Sequence, residues 1–147
     1  EQRVLELCPD SVHLRASWMY DLPGYGLPIR GNLPLNLLRA ALKGEAVRFS
    51  RNDFRGVTYV RQVIENLEPA MELPGGVYNF GSGNAEDMVC TARQFAKALG
   101  ISIKITEESW ERNLVMDAAK LERSGIRFAA TQQGIRCCLQ DYGLSEL

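Results

Sequence analysis

The segment Gly76-Val77-Tyr78-Asn79-Phe80-Gly81-Ser82-Gly83-Asn84, with the periodic stretch behind it, restricts the fold more than any other part of this chain. Val77 and Tyr78 read as a short buried strand. Gly81 and Gly83 permit a tight exit from it. Asn84 is a candidate N-cap, and Glu86 and Asp87 put negative charge in a first helical turn, where the helix dipole favours it. Met88, Ala92, Phe95, Ala96 and Leu99 then recur at helical spacing up to Gly100, a natural stop. Ile101, Ile103 and Ile105 alternate with Ser102 and Lys104, the period of a strand. Strand, glycine turn, helix, strand is a βαβ unit, and it predicts an α/β fold.

The 147 residues suffice for one domain with its own core. Basic residues number 17 and acidic residues 18, which predicts no broad electrostatic surface for nucleic acid or membrane. Cys8, Cys90, Cys137 and Cys138 form no C-x-x-C pair, and His13 is the only histidine, so no metal site is expected. Reduced, mostly buried thiols in a cytoplasmic protein fit this pattern. No apolar run approaches the roughly 18 residues of a membrane span, and no signal-peptide pattern is present. The chain starts at Glu1 rather than Met, which suggests a fragment or a processed product.

Elsewhere, residues 1–7 read as the tail of a helix ended by Pro9, and Val12, Leu14 and Ala16 as a strand to about Ser17. The run from Trp18 to Pro28 holds three aromatics, two prolines and two glycines and reads as a long loop, either functional or an aromatic plug over a core edge. A helix over 33–42 has Asn32 as N-cap, Pro34 near its first position, Leu33, Leu37, Leu38, Ala41 and Leu42 as its buried stripe, and Gly44 as its stop. Val47 to Phe49 reads as a strand, 50–56 as a polar loop, and Thr58 as the cap of a helix to about Glu68. Residues 107–113 read as irregular around Trp110. Asp117 and Thr131 read as caps of two short final helices.

Gly81-Ser82-Gly83 before a helix suggests phosphate binding on helix amides, but position 86 is Glu, so G-x-G-x-x-G is not completed; a structural glycine turn is the simpler reading. His13 reads as structural. Arg15, inside a strand, is either paired or reaches a cavity. Arg51, Arg55, Arg61 and Arg112 are either solvated or hold a phosphate or carboxylate through their guanidinium forks. Arg112 lies beside Trp110, whose ring offers a stacking surface; Trp18 with Tyr20 offers another.

In the same order along the chain, Arg15-Ala16-Ser17-Trp18-Met19-Tyr20 resembles the R-T-S-W-V-Y-G strand and loop of dTDP-4-dehydrorhamnose reductases. Gly56-Val57-Thr58-Tyr59-Val60 resembles their G-x-P-T-Y helix start, Gly76-Val77-Tyr78 their G-I-Y-H strand, and Asp117-Ala118-Ala119-Lys120-Leu121 their D-T/S-S-K-L helix start. These enzymes belong to the extended short-chain dehydrogenase/reductase group, within the NAD-dependent epimerase/dehydratase superfamily. Ala16, Asp21, Val57, Gln62 and Asn113 depart from the family pattern.

The resemblance implies the C-terminal, substrate-binding portion of a Rossmann-like NAD(P)-binding fold: a few-stranded, mostly parallel sheet with helices, forming one domain over 1–147. It implies that the glycine-rich cofactor loop and the Tyr-x-x-x-Lys helix precede this chain, so that the chain alone has no catalytic residue and retains no cofactor. NADP or NAD belongs to the full-length parent, a reductase of dTDP-rhamnose biosynthesis or a related epimerase or dehydratase. By the same resemblance Ser17, Trp18 and Met19 face the cofactor, and Tyr20, Asn32, Thr58 and Arg112 face the nucleotide-sugar. A non-catalytic α/β binding or oligomerisation module is the alternative. A sheet this small exposes an edge, which a second copy in a homodimer would cover.

Overall fold

Every strand pair of the computed structural model, which describes residues 1–23 and 30–144, is parallel. Val12–Ala16 (β1) pairs with Gly76–Phe80 (β6), and Trp18–Tyr20 (β2) with Val57–Tyr59 (β5). Val47–Ser50 (β3) pairs with Ile105–Glu108 (β7), and Asp53–Arg55 (β4) with Arg112–Leu114 (β8). Parallel partners need long crossovers, and helices supply them. They are Gln2–Leu7 (α1), Leu33–Lys43 (α2), Val60–Met71 (α3), Met88–Ala98 (α4), Ala119–Glu122 (α5) and Thr131–Asp141 (α6). The result is the α/β architecture expected from the βαβ unit. Among the described residues no helix is long and apolar enough to cross a membrane.

Local chemistry explains most boundaries. Asn32 caps α2 by accepting from the Leu35 amide at 3.1 Å, and Gly44 ends that helix in the left-handed region at φ 67°. Asp87, not Asn84, caps α4, accepting from the Cys90 amide at 2.8 Å. Asn84 is occupied otherwise: its amide donates to Arg55 O and Thr91 Oγ1 and accepts from Glu86 N and Gln132 Nε2. Thr131 is likewise the first residue of α6 rather than its cap; its hydroxyl accepts from the Val57 amide at 3.0 Å.

Several strands differ from the sequence expectation for one reason. Trp18–Tyr20, the start of the expected loop, is strand because its partner is β5, some forty residues away, out of reach of local pattern. Thr58 lies inside β5 and Tyr59 occupies the α3 N-cap position, so Thr58 caps nothing. Asp53–Arg55 and Arg112–Leu114, expected as loop, form the β4·β8 pair; both are polar, and only their pairing makes them strands. Residues 101–104 are not strand, which begins at Ile105. In α2 the buried set is Leu33, Pro34, Leu35, Leu37 and Ala40, whereas Leu42 is exposed. α3 runs through Pro69 to Met71, since Ala70 and Leu73 bury against the sheet. The four thiols are free, but Cys138 alone of them is buried, and Cys8 is exposed. The remainder of the expected loop, residues 24–29, lies outside the described residues.

Two apolar cores result. The larger gathers Tyr20, Leu33, Leu37, Val57, Met88 and Phe95 with α6 residues Ile135, Cys138 and Leu139. The smaller holds Ala70, Tyr78, Phe80, Leu121 and Ile126. Between them three extended runs meet. The run 12–20 changes partner at Ser17, from β6 to β5. The run 53–59 changes partner at Gly56, from β8 to β2. The third run, β6, ends at Gly81.

At this junction there is no room for a side chain on Gly56, where a Cβ would strike the Ser82 carbonyl. On Gly81 a Cβ would lie 2.8 Å from both Ser17 Cβ and Thr58 Oγ1. The polar groups bind one another. Ser82 N donates to Thr58 Oγ1 at 2.8 Å, and the Thr58 and Ser17 hydroxyls are hydrogen-bonded. Thr58 is fully buried. Thr58→Val, near isosteric, leaves the Ser82 amide buried and unpaired. A loss of about 1–3 kcal/mol in urea-unfolding stability is expected.

Candidate functional site

A cleft of about 430 Å³ opens where parallel strands end. Arg15 and Ala16 come from the end of β1 and Ser17 follows it, Asn79 comes from β6, Arg55 ends β4 and Gly56 follows it, and Asn113 to Met116 come from the end of β8 and beyond. Trp18 completes the wall. The carboxyl ends of strands are where open α/β sheets hold ligands. A larger hollow of about 540 Å³ lies between α4 and α6, lined by Gln94, Lys97, Ile135, Arg136 and Leu139 among others. It is away from the strand ends and contains none of the residues singled out in the sequence.

The cleft's central cation is Arg55, its guanidinium carbon 5.1 Å from the Trp18 ring centroid. Behind it is Asp53, whose side chain is 1% exposed. Arg112 reaches Asp53 with Nε at 3.1 Å and a terminal nitrogen at 2.7 Å. Arg55 does so at 3.4 and 3.1 Å, and Trp110 Nε1 donates at 3.3 Å. Burial alone pushes the Asp53 carboxyl upward, but Arg112, then Arg55 and Trp110, outweigh it and hold it below its ordinary value.

Ser17 is placed by counting protons. Thr58 Oγ1 accepts the Ser82 amide and, being fully buried, has Ser17 Oγ as the partner for its own proton. Ser17 itself lines the cleft. Arg15, at the rim, is paired with Glu1 at 2.9 Å. Asn79 Nδ2 donates to the Asp117 carbonyl at 2.9 Å, which ties the β6 wall to the segment before α5.

Of the residues marked in the sequence, the cleft therefore unites Ser17 and Trp18 with Arg15 and Arg55. Met19 is 40% exposed, alternates to the other strand face and does not line the cleft. Tyr20 is 1% exposed, enclosed by Tyr59 and Phe95 in the larger core, so its contribution is packing. Asn32 is buried at the head of α2, where its side chain also donates to the Asp21 carbonyl at 2.8 Å. Thr58 acts behind Ser17. Arg112 binds Asp53 and is not among the lining residues; its neighbours Asn113 and Leu114 are.

The remaining marked groups have structural partners. His13 bonds the Ser11 hydroxyl at 3.0 Å, Arg51 pairs with Glu107, and Arg61 with Glu65 and Asp141. In the glycine turn, Gly83 O accepts from Thr131 N, which closes it onto α6. Asp53 has no local signal beyond its place in Arg51-Asn52-Asp53-Phe54-Arg55. Its role depends on Arg112, which the sheet brings from across the chain.

No protein-family model and no curated protein matches the sequence. The fold is nevertheless found in solved structures. dTDP-4-dehydrorhamnose reductase from Bacillus anthracis str. Ames, in complex with NADP, matches with a TM-score of 0.78 at 15% identity over 95% of this chain and 50% of that one. UDP-glucose 4-epimerase from Thermus thermophilus, in complex with NAD, matches at 0.68 and 21% identity over 97% and 51%. dTDP-glucose 4,6-dehydratase from Bacillus anthracis str. Ames, in complex with NAD, matches at 0.65 and 20% identity over 92% and 45%. The chain thus has the Rossmann-like α/β fold of extended short-chain dehydrogenase/reductase structures, and it spans about half the length of the structures it matches. Reductase, epimerase and dehydratase match alike, so the likeness establishes the fold and not the reaction.

The sign of the acid response follows from Asp53. A carboxyl held below its ordinary value of 3.8 stabilises the fold above that value, and the stabilisation is lost as pH falls through the folded-state value. Asp53→Asn should lower stability at neutral pH by about 1–3 kcal/mol and flatten the acid limb of a stability–pH profile measured by denaturant titration.

Proposed function

We propose that this chain is the nucleotide-sugar-binding, C-terminal part of an NAD(P)H-dependent oxidoreductase acting on a sugar nucleotide, with a dTDP-4-dehydrorhamnose reductase-like activity in the full-length protein. The observation that carries the proposal is the cleft at the strand ends, walled by the Trp18 ring and the Arg55 guanidinium. A sugar diphosphate needs fixed cationic donors, a flat face and hydroxyl-competent polar groups. Arg55 has guanidinium protons beyond those given to Asp53, Trp18 has a ring face, and Ser17 brings a hydroxyl to the cleft wall. The ordered motifs at 15–20, 56–60, 76–81 and 117–121 support a nucleotide-sugar enzyme of this superfamily, and their resemblance to the reductase pattern is what puts the reductase first.

The cofactor assigned to the full-length protein, NADP or NAD, supplies or accepts the hydride. Ser17 and Trp18 fit its nicotinamide edge: a carboxamide oxygen needs one hydroxyl donor, and the ring needs an apolar face. Met19 follows them on the same strand. For a reductase the remaining requirement is a proton donor to the carbonyl oxygen. The two best-placed tyrosines of β2 and β5 are unsuited. Burial foremost pushes the Tyr20 and Tyr59 hydroxyls far up, and Tyr20 faces the core. Binding is therefore assigned to this chain and proton transfer to another part of the protein.

Titration calorimetry with dTDP-glucose and UDP-glucose tests the binding assignment. Saturable binding of at least one is expected, weakened about tenfold or more by Arg55→Ala, the scale of a lost charge-assisted contact, and less by Arg112→Ala. Absence of binding to both sugars would sink the proposal and favour a non-catalytic oligomerisation module. With NADPH and a 4-keto nucleotide-sugar, the isolated chain should give no loss of NADPH absorbance.

A further inference from the structure

We infer that Asp53 is a positioning residue for the cleft: its buried carboxylate sets the plane and free edge of the Arg55 guanidinium without touching the ligand. The inference rests on the anion-binding reading of the cleft. Asp53 and Arg55 are two residues apart on β4 and so share a face. Arg112 is the register partner of Asp53 across the parallel β4·β8 pair. Sheet register therefore delivers two guanidiniums to one carboxylate, from beside it and from across it.

The geometry separates support from contact. Asp53 is 1% exposed and does not line the cleft, whereas Arg55 does. Arg55 uses its Nε proton and one terminal proton on Asp53. Of its five N–H groups this leaves three uncommitted. The guanidinium carbon lies 5.1 Å from the Trp18 ring centroid and Asp53 binds one edge, so the group is restrained from two sides. Arg112 and Trp110 complete the hydrogen bonding of the carboxylate. The pattern Arg-Asn-Asp-Phe-Arg thus places a support residue and a cleft residue in adjacent same-face positions.

This arrangement makes a prediction opposite to simple charge counting. Asp53→Asn removes a negative charge beside an anion site, and Coulomb attraction alone would tighten binding. If position governs, the same substitution weakens binding, because Arg55 must be ordered anew by each ligand.

The test is a double-mutant cycle on the 147-residue chain, with UDP and dTDP as probes in calorimetry. It compares wild type, Asp53→Asn, Arg55→Ala and the double variant. The expected result is roughly tenfold weaker binding for Asp53→Asn in the wild-type background and less than about twofold in the Arg55→Ala background, since the effect runs through Arg55. Unchanged or tighter binding by Asp53→Asn, or an equal loss in both backgrounds, overturns the inference. Should Asp53→Asn fail to fold, Asp53→Glu takes its place: it keeps the charge, shifts the carboxylate by one methylene and is expected to weaken binding only when Arg55 is present. Should wild type bind neither probe, the cleft reading fails, and the Arg55 Nε–H signal in NMR decides the positioning claim separately. A fixed signal in wild type that averages in Asp53→Asn supports it, and an identical signal in both overturns it.

Discussion

The junction of Ser17, Thr58 and Ser82 is the constraint on which the rest of the architecture depends. Parallel pairing is usually continuous along a strand, but here two runs change partner midway. Each change leaves backbone groups without a ladder neighbour. Buried N–H groups cannot be left so. The Thr58 hydroxyl takes the Ser82 amide, and the Thr131 hydroxyl takes the Val57 amide. Two threonines from distant segments thereby substitute for missing strand partners. The close approach they need is available because positions 56 and 81 carry no Cβ. Splitting the sheet at this point also separates the two cores and leaves strand ends diverging, and the diverging ends form the cleft. The same hydroxyl pairing that stabilises the junction fixes Ser17 at the edge of the cleft.

What is legible in the sequence divides along the range of the interactions involved. β6, the glycine turn and α4 are built from local periodicity and are readable from it. So are the Asn32 cap and the Gly44 stop, which need only three or four neighbouring residues. β2, β4 and β8 are three residues each, and nothing in Asp53-Phe54-Arg55 or Arg112-Asn113-Leu114 alternates as a strand should. They exist through pairing with distant segments, nearly sixty residues apart for β4 and β8. Asn84 resembles a cap because it precedes a helical pattern, yet four side-chain hydrogen bonds hold it elsewhere. In the site, Ser17 and Trp18 sit within a continuous motif, and Arg55 is one of several candidate arginines. Asp53 has no pattern at all, since a buried carboxylate is identifiable only once its counter-charges are in place.

The two arginines of this cluster show why residue type alone does not assign a role. Arg55 and Arg112 carry the same charge and contact the same carboxylate. Arg112, 42% exposed, directs its fork at Asp53 from the neighbouring strand. Arg55, 18% exposed, is held between Asp53 and Trp18 with its remaining protons on the cleft side. On the proposed reading the less exposed arginine is the one that meets the ligand, because Asp53 and Trp18 already restrain it. An exposed guanidinium must surrender rotamer freedom on binding; a clamped one has already done so.

That economy bears on how a single half-fold can occur beneath different reactions. A reductase, an epimerase and a dehydratase share this architecture at 15–21% identity to the chain. The architecture therefore does not select the reaction, and selection must lie in particular side chains. Within this chain the polar groups at the strand ends are donors and a stacking face, while burial foremost pushes the Tyr20 and Tyr59 hydroxyls far up and makes them poor acids. Donors and faces serve recognition of charge and shape, which the three reactions require in common. Proton and hydride transfer, in which they differ, call for a proton donor and a hydride carrier, which the proposed reading assigns to other parts of the protein. Under the proposed function, what this chain contributes is binding geometry, built on a hydroxyl junction on one side of Gly56 and a carboxylate clamp on the other.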